Sequence, residues 1–192
     1  MSKFEGSHAS ADKTEVKSLV VKPPIPPGFS SAEEWEGFKM TIDRGLQSGL
    51  LPAHIQSVNQ AIVIGLRGRE LNLAPLYALS QIYVVHNRPG LQAELMRSLV
   101  FQKYPNAKMD LVTPVENRHL ECKIIAARPG GNDQEFLFTM EDAARAGLVI
   151  KKGDKWEGAP KKEVWSKYPT AMLIGRVTSQ CIRFMFPECV AG

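Results

Sequence analysis

Hydrophobic residues recur at helical spacing in several stretches of the chain and at strand spacing in others. Spacings of three and four residues predict helices, and alternation over short runs predicts strands. The predicted helices are residues 32–48, a stretch that begins at Pro52, residues 91–104, and the stretch from Pro169 to Pro187. The predicted strands are residues 108–115, 118–128 and 134–140, with a shorter strand, QIYVV, before the turn HNRPG.

Capping residues and apolar faces complete this pattern. Ser31 with Glu34 predicts a capping box, and Thr139 predicts the cap of a short helix that ends at Gly147. The faces expected in the core are Trp35, Phe38 and Ile42; Val58, Ile62 and Leu66; and Leu91, Leu95, Leu99 and Val100. The prediction is an α+β fold: a small antiparallel three-stranded sheet plus a β-turn segment, packed with helices on one face.

The last helix has the clearest pattern. Pro169 suits a first helical turn and Pro187 cannot continue the helix. Leu173, Val177, Cys181 and Phe184 share one face and are expected in the core. Arg176 and Arg183 are seven residues apart, so they point the same way. They are either two solvated arginines or a cationic stripe for a partner.

Charge is concentrated near this helix. Residues 151–186 contain eight basic and three acidic side chains, a net charge of +5, whereas the rest of the chain carries −1. Such asymmetry suits a polyanion such as nucleic acid, although a solubilising loop explains the charge equally well.

The remaining composition predicts the organisation of the chain. Residues 1–30 are polar and then proline-rich, so we expect a flexible arm before a single domain over residues 31–192. No apolar run reaches the roughly 20 residues needed to span a bilayer, and no secretory signal is visible. Three cysteines without a close pair favour reduced thiols in a cytoplasm-like compartment.

The sequence lacks the common catalytic motifs. It contains no GxxxxGK[ST], HExxH, GxSxG or CxxC pattern, so we expect a binding protein rather than an enzyme, with no catalytic residues and no cofactor. A zinc site assembled from His54, His86 and His119 with the cysteines is a minor alternative.

A binding surface is the stronger prediction. Lys123 and Arg128 fall on one predicted strand, Arg88 at the tip of a turn, and Arg97 on an exposed helix face. With the last helix, the candidate DNA-binding residues are Arg176, Arg183, Gln180, Lys167, Arg128, Lys123, Arg97 and Arg88. We expect the last helix to line a groove for the phosphate backbone, whose contacts are independent of sequence.

At this point the chain resembles a known family. Trp165, Pro169, Met172, Leu173, Arg183 and Phe186 form a pattern similar to the core signature of the RecT/Redβ single-strand annealing proteins. The segments ELNLAPLYALSQIYVVHNRPGLQAELMRSLV and FTMEDAARAGL are also similar to segments of that family. The resemblance covers roughly residues 50–192.

The resemblance implies ATP-independent binding of single-stranded DNA and annealing of complementary strands in phage recombination and repair. It implies a homo-oligomer, a ring or a helical filament, in the cytoplasm of a bacterial host cell. Arg176 and Arg183 match basic positions of the family and Gln180 matches a polar position between them. The implied partners are single-stranded DNA, the annealed duplex and a phage exonuclease.

The chain departs from the family pattern in places. Thr170 and Ser80 stand where some relatives have a basic residue. The chain ends shortly after the last helix, so we expect the region that recruits the host single-strand-binding protein to be missing. The alternatives are a protein that protects single strands without annealing them, a metal-dependent nuclease, and a phage assembly protein.

Overall fold

Helices and strands alternate in the computed structural model of this chain, which has the predicted α+β class. The structure describes residues 25–26, 28–49, 51–55, 57–85 and 88–190. Two compact units divide the chain, residues 1–36 and residues 37–192. The predicted arm, residues 1–30, lies outside the described residues apart from 25–26 and 28–30.

The described elements follow one another along the chain with short connections. The helices are α1 Ala32–Gln47, α2 Val58–Glu70, α3 Pro75–Gln81, α4 Ala93–Lys103, α5 Met140–Arg145, α6 Val164–Lys167 and α7 Pro169–Met185. The strands are β1 Ile82–Val85, β2 Arg88–Leu91, β3 Lys108–Leu111, β4 Glu121–Ala127, β5 Gln134–Thr139, β6 Val149–Lys152 and β7 Lys155–Gly158. Within the described ranges, no helix is long and apolar enough to cross a membrane.

A three-stranded antiparallel sheet in the order β3–β4–β5 confirms the central prediction. Side chains alternate between the two faces of a strand, and on β4 the residues Cys122, Ile124 and Ala126 are buried. Helix α7 packs against β4 and β5, and α4 packs against α7. The core of residues 37–192 therefore lies around α7.

Local capping signals were read correctly from the sequence. Thr139 Oγ1 accepts a hydrogen bond from the Asp142 backbone at 3.1 Å, and the Asp142 carboxylate accepts one from the Thr139 backbone. Gly147 follows α5 with φ +67°, a conformation that glycine adopts without strain. At α1, Ser31 accepts from the Glu34 backbone at 3.1 Å, while the Glu34 carboxylate accepts from the Ser30 backbone.

The predicted second helix was wrong in its start and in its buried face. The helix begins at Val58, where Ser57 Oγ accepts a hydrogen bond from the Gln60 backbone at 3.2 Å. Val58 itself is exposed. Small residues form the contact between α2 and α3 instead. Gly68 lies so close to Ala78 that a Cβ at Gly68 would clash with the Cβ of Ala78. The helical spacing of large apolar residues does not reveal a contact made through glycine.

Two further expectations need correction. Phe184 is 68% exposed rather than in the core, and its ring contacts Phe136 on the edge strand β5. The basic stretch after α5 is not a loop but the hairpin β6–β7, with a two-residue turn at Gly153 and Asp154.

Candidate nucleic-acid interface

Helix α7 is held in place by one broad buried face. Pro169 occupies its first turn, and the helix ends at Met185 before Pro187, as predicted. Its buried side chains span a wide arc: Leu173, Val177, Thr178, Cys181, Ile182 and Met185. Because the sheet and α4 both pack on it, the exposed remainder of α7 has a fixed position and orientation.

The exposed remainder is the stripe of Arg176, Gln180 and Arg183. All three side chains are exposed, and they recur at spacings of four and three residues. Arg176 and Arg183 are separated by about 10.5 Å along the axis at 1.5 Å per residue. Within the described part of the chain, neither arginine forms an ion pair or a side-chain hydrogen bond. Both guanidinium groups are therefore available to an external anion.

Lysines extend the positive charge beyond the N-terminal end of α7. Lys167 is exposed on α6, which packs against both α7 and β7. Lys151 and Lys155 are exposed on the hairpin β6–β7, whose turn contains Gly153 with φ +60°. Lys152 is paired with Glu157 at 2.6 Å, so its charge is already balanced. The sequence contains a hairpin signal here, a Gly-Asp pair between two short runs, which the charge pattern alone does not distinguish from a solubilising loop.

Arg128 lies elsewhere and has internal partners. Its Nε donates to the Met185 carbonyl at 2.7 Å, and its Nη2 lies 2.9 Å from a Glu188 carboxylate oxygen. The guanidinium carbon is 5.3 Å from the Phe186 ring centroid and 5.7 Å from that of Tyr104. Arg128 thus satisfies a terminal carbonyl of α7, where a cation also complements the helix dipole.

Lys123 lies on the other side of the sheet. It alternates with Cys122 and Ile124, which are buried towards α7, so its side chain projects from the opposite face. Its Nζ is 2.8 Å from Glu135 Oε1, and this hydrogen bond raises the pKa of the lysine. The structure does not bring Lys123 to the stripe on α7.

Arg97 and Arg88 lie on two further elements. Arg97 is exposed on α4, as predicted, with its guanidinium carbon 5.5 Å from the Phe101 ring centroid. Arg88 is exposed at the start of β2, opposite Val85, rather than at the tip of a turn. Their role in binding DNA stays a prediction.

Two exposed aromatic residues at the ends of α7 were missed. Tyr168 precedes the helix and is 62% exposed, and Phe184 lies in its last turn beside Arg183. Both rings present apolar surface at the ends of the helix that carries the cationic stripe. Helical periodicity alone placed Phe184 with the core residues.

The cysteines are buried and contribute no reactive thiol. Cys122, Cys181 and Cys189 are free thiols, and burial raises the pKa of Cys181 to about 11. The thiolate, which is the nucleophile and the metal ligand, is therefore disfavoured at neutral pH. Among the described residues, no cluster of three His, Cys, Asp or Glu side chains could hold a metal ion.

No family model, curated protein or solved structure matches this chain.

Proposed function

We propose that this protein binds single-stranded DNA through its phosphate backbone and anneals complementary strands without ATP. The supporting observation is the exposed stripe of Arg176, Gln180 and Arg183 on a helix whose opposite face is buried. Two strands repel each other through their phosphates, and fixed arginines reduce that repulsion while leaving base edges to pair. Arg176 and Arg183 are about 10.5 Å apart along the helix axis, which equals about three base-pair steps of 3.4 Å in a B-form duplex.

One protomer offers too few phosphate contacts for tight binding. A homo-oligomer, either a ring or a helical filament, places many stripes along one strand, so that its contacts add through avidity. The resemblance to the RecT/Redβ proteins supports this assembly. It also supports a role in phage recombination and repair in the bacterial cytoplasm, with an exonuclease as partner that exposes single strands.

An annealing assay tests the proposal. Two complementary oligonucleotides, labelled with a fluorophore and a quencher, are mixed with the protein in the absence of ATP. We expect pairing faster than that of the naked strands, and a rate that falls as salt is raised. Binding without acceleration would contradict annealing.

A protein that protects single strands without annealing them is the second candidate. The exposed rings of Tyr168 and Phe184 favour it, because bases stacked on aromatic side chains are withheld from pairing. In the same assay, this candidate predicts pairing slower than that of the naked strands. Cleavage of labelled DNA with Mg²⁺ or Mn²⁺ would indicate a nuclease instead, and absence of salt-sensitive DNA binding would indicate an assembly protein.

A further inference from the structure

A pocket of about 280 Å³ lies at the N-terminal end of α7. Trp165, which is buried, and Trp156, which is half-buried, line it together with Pro169. Asp154, Lys155 and Ser166 supply polar groups to the same pocket. Apolar aromatic walls with a few polar groups are typical of sites for small ligands. The volume of this pocket is close to the lower limit of the volumes usual for such sites.

Tertiary contacts build the pocket from separate elements. Gly158 ends the hairpin strand β7, and a Cβ at this position would clash with the backbone of Lys162. Glycine thus lets the hairpin approach the chain just before α6. Ser166 Oγ then accepts a hydrogen bond from the Gly158 backbone at 2.7 Å, which holds α6 against the hairpin. The pocket is therefore a formed feature rather than a gap between loose segments.

The charges at the pocket suit a flat ligand that carries an anionic group. The Lys151 ammonium is 5.4 Å from the Trp156 ring centroid, and Lys155 lies at the pocket itself. Asp154 is an acceptor for amino or imino protons, and the Ser166 hydroxyl retains its own proton to donate. An indole wall, hydrogen-bonding groups and neighbouring lysines together match a nucleobase attached to a phosphate.

The pocket lies in line with the cationic stripe. Pro169, Arg176 and Arg183 are spaced by seven residues, so they lie on nearly the same side of α7 at intervals of about 10.5 Å. We propose that the pocket holds one unpaired nucleobase of a DNA strand whose phosphates follow Arg176 and Arg183. This inference rests on the proposed function and adds a base-binding site to it. A single held base leaves the bases along the stripe available for pairing.

Two strands of equal length test this site, one with bases and one abasic, since both carry the same phosphates. Binding is measured by fluorescence anisotropy at a single salt concentration. We expect the wild-type protein to bind the strand with bases about tenfold more tightly than the abasic strand, because one base stacked on an aromatic side chain contributes a stabilisation of that size. Trp156→Leu should abolish this preference, so that the two strands bind with about equal affinity. Trp156→Phe should retain most of it, because phenylalanine keeps an aromatic face.

Equal affinity of the wild type for the two strands would overturn the proposal that the pocket holds a base, while leaving binding of the phosphate backbone intact. A preference that survives Trp156→Leu would do the same. If neither strand binds, the proposed function itself fails. The wild-type comparison needs no variant, and a photo-crosslink from a 5-iodouracil base provides a second measurement. We expect the crosslinked peptide to contain Trp156, and a crosslink only at Tyr168 or Phe184 would place the base elsewhere.

Discussion

Arg128 donates its Nε proton to the carbonyl oxygen of Met185 at 2.7 Å and so joins the end of β4 to the last turn of α7. The contact spans 57 positions of the sequence. It holds the C-terminal end of the helix that carries the cationic stripe. Arg128 is therefore a positioning residue for α7, in contrast to the outward-facing Arg176 and Arg183.

Replacing Arg128 should affect stability more than DNA binding. We expect Arg128→Ala to lower the melting temperature by about 3–6 °C, because it removes bonds to Met185 and Glu188 together. Arg128→Lys should restore only part of this loss, since one ammonium group cannot replace the planar guanidinium. Thermal unfolding followed by circular dichroism measures both variants, with the exposed Arg44→Ala as the matched control. An unchanged melting temperature combined with weaker DNA binding would instead make Arg128 a phosphate contact.

Glu188 should make stability depend on acid pH. Its own backbone amide, the Tyr104 hydroxyl and the Arg128 guanidinium lower the pKa of this carboxyl to about 2 from an ordinary 4.5. Because the folded state has the lower pKa, the stabilisation is complete above pH 4.5 and is lost as the pH falls towards 2. The melting temperature of the wild type should exceed that of Glu188→Gln at pH 7, and the difference should vanish near pH 2. A difference that is constant with pH would show that the charge of the carboxylate is not its source.

Removing either arginine of the stripe should weaken DNA binding without unfolding the protein. We expect Arg176→Ala and Arg183→Ala each to reduce the slope of log affinity against log salt by about 0.7–1, the contribution of one phosphate contact. Both side chains are exposed, so the melting temperature should stay within about 1 °C of the wild type. Arg44→Ala removes the same charge from α1 and serves as the control for a general charge effect. Unfolding of either stripe variant would identify its arginine as structural.

Replacing Leu173 by alanine should destabilise the protein much more than replacing Phe184 by alanine. Leu173 is fully buried on the core face of α7, and Leu173→Ala should lower the free energy of unfolding by about 2–5 kcal/mol. Phe184→Ala should lower it by about 1 kcal/mol or less, because that side chain is 68% exposed and its ring contacts Phe136 at the edge of the sheet. Urea denaturation measures both values. A loss of similar size in the two variants would place Phe184 in the core, as its helical spacing predicted.

Features that depend on neighbouring residues were predictable. Both ends of α7, the cap at Thr139 and the three strands of the central sheet all follow from side chains a few positions apart. Local backbone preferences and amphipathic spacing act over that distance, so these features can be predicted from the sequence alone. The outward direction of Arg176 and Arg183 belongs to this group as well.

Features that depend on distant residues were not predictable in the same way. The α2–α3 contact is made through Gly68 and Ala78, and glycine carries no apolar signal. The pocket beside Trp156 requires the hairpin, α6 and the start of α7 to meet.

The sequence by itself determined the α+β class, the helix that carries the stripe and the side of that helix on which its arginines lie. Only the tertiary structure decided which basic residues remain available: Arg128 and Lys123 face a carbonyl and carboxylates, whereas Arg176 and Arg183 face solvent. The physical reason is that an arginine's partner is chosen by proximity in space. Met185 is remote from Arg128 in the chain, and only the packing of α7 against the sheet brings the two together.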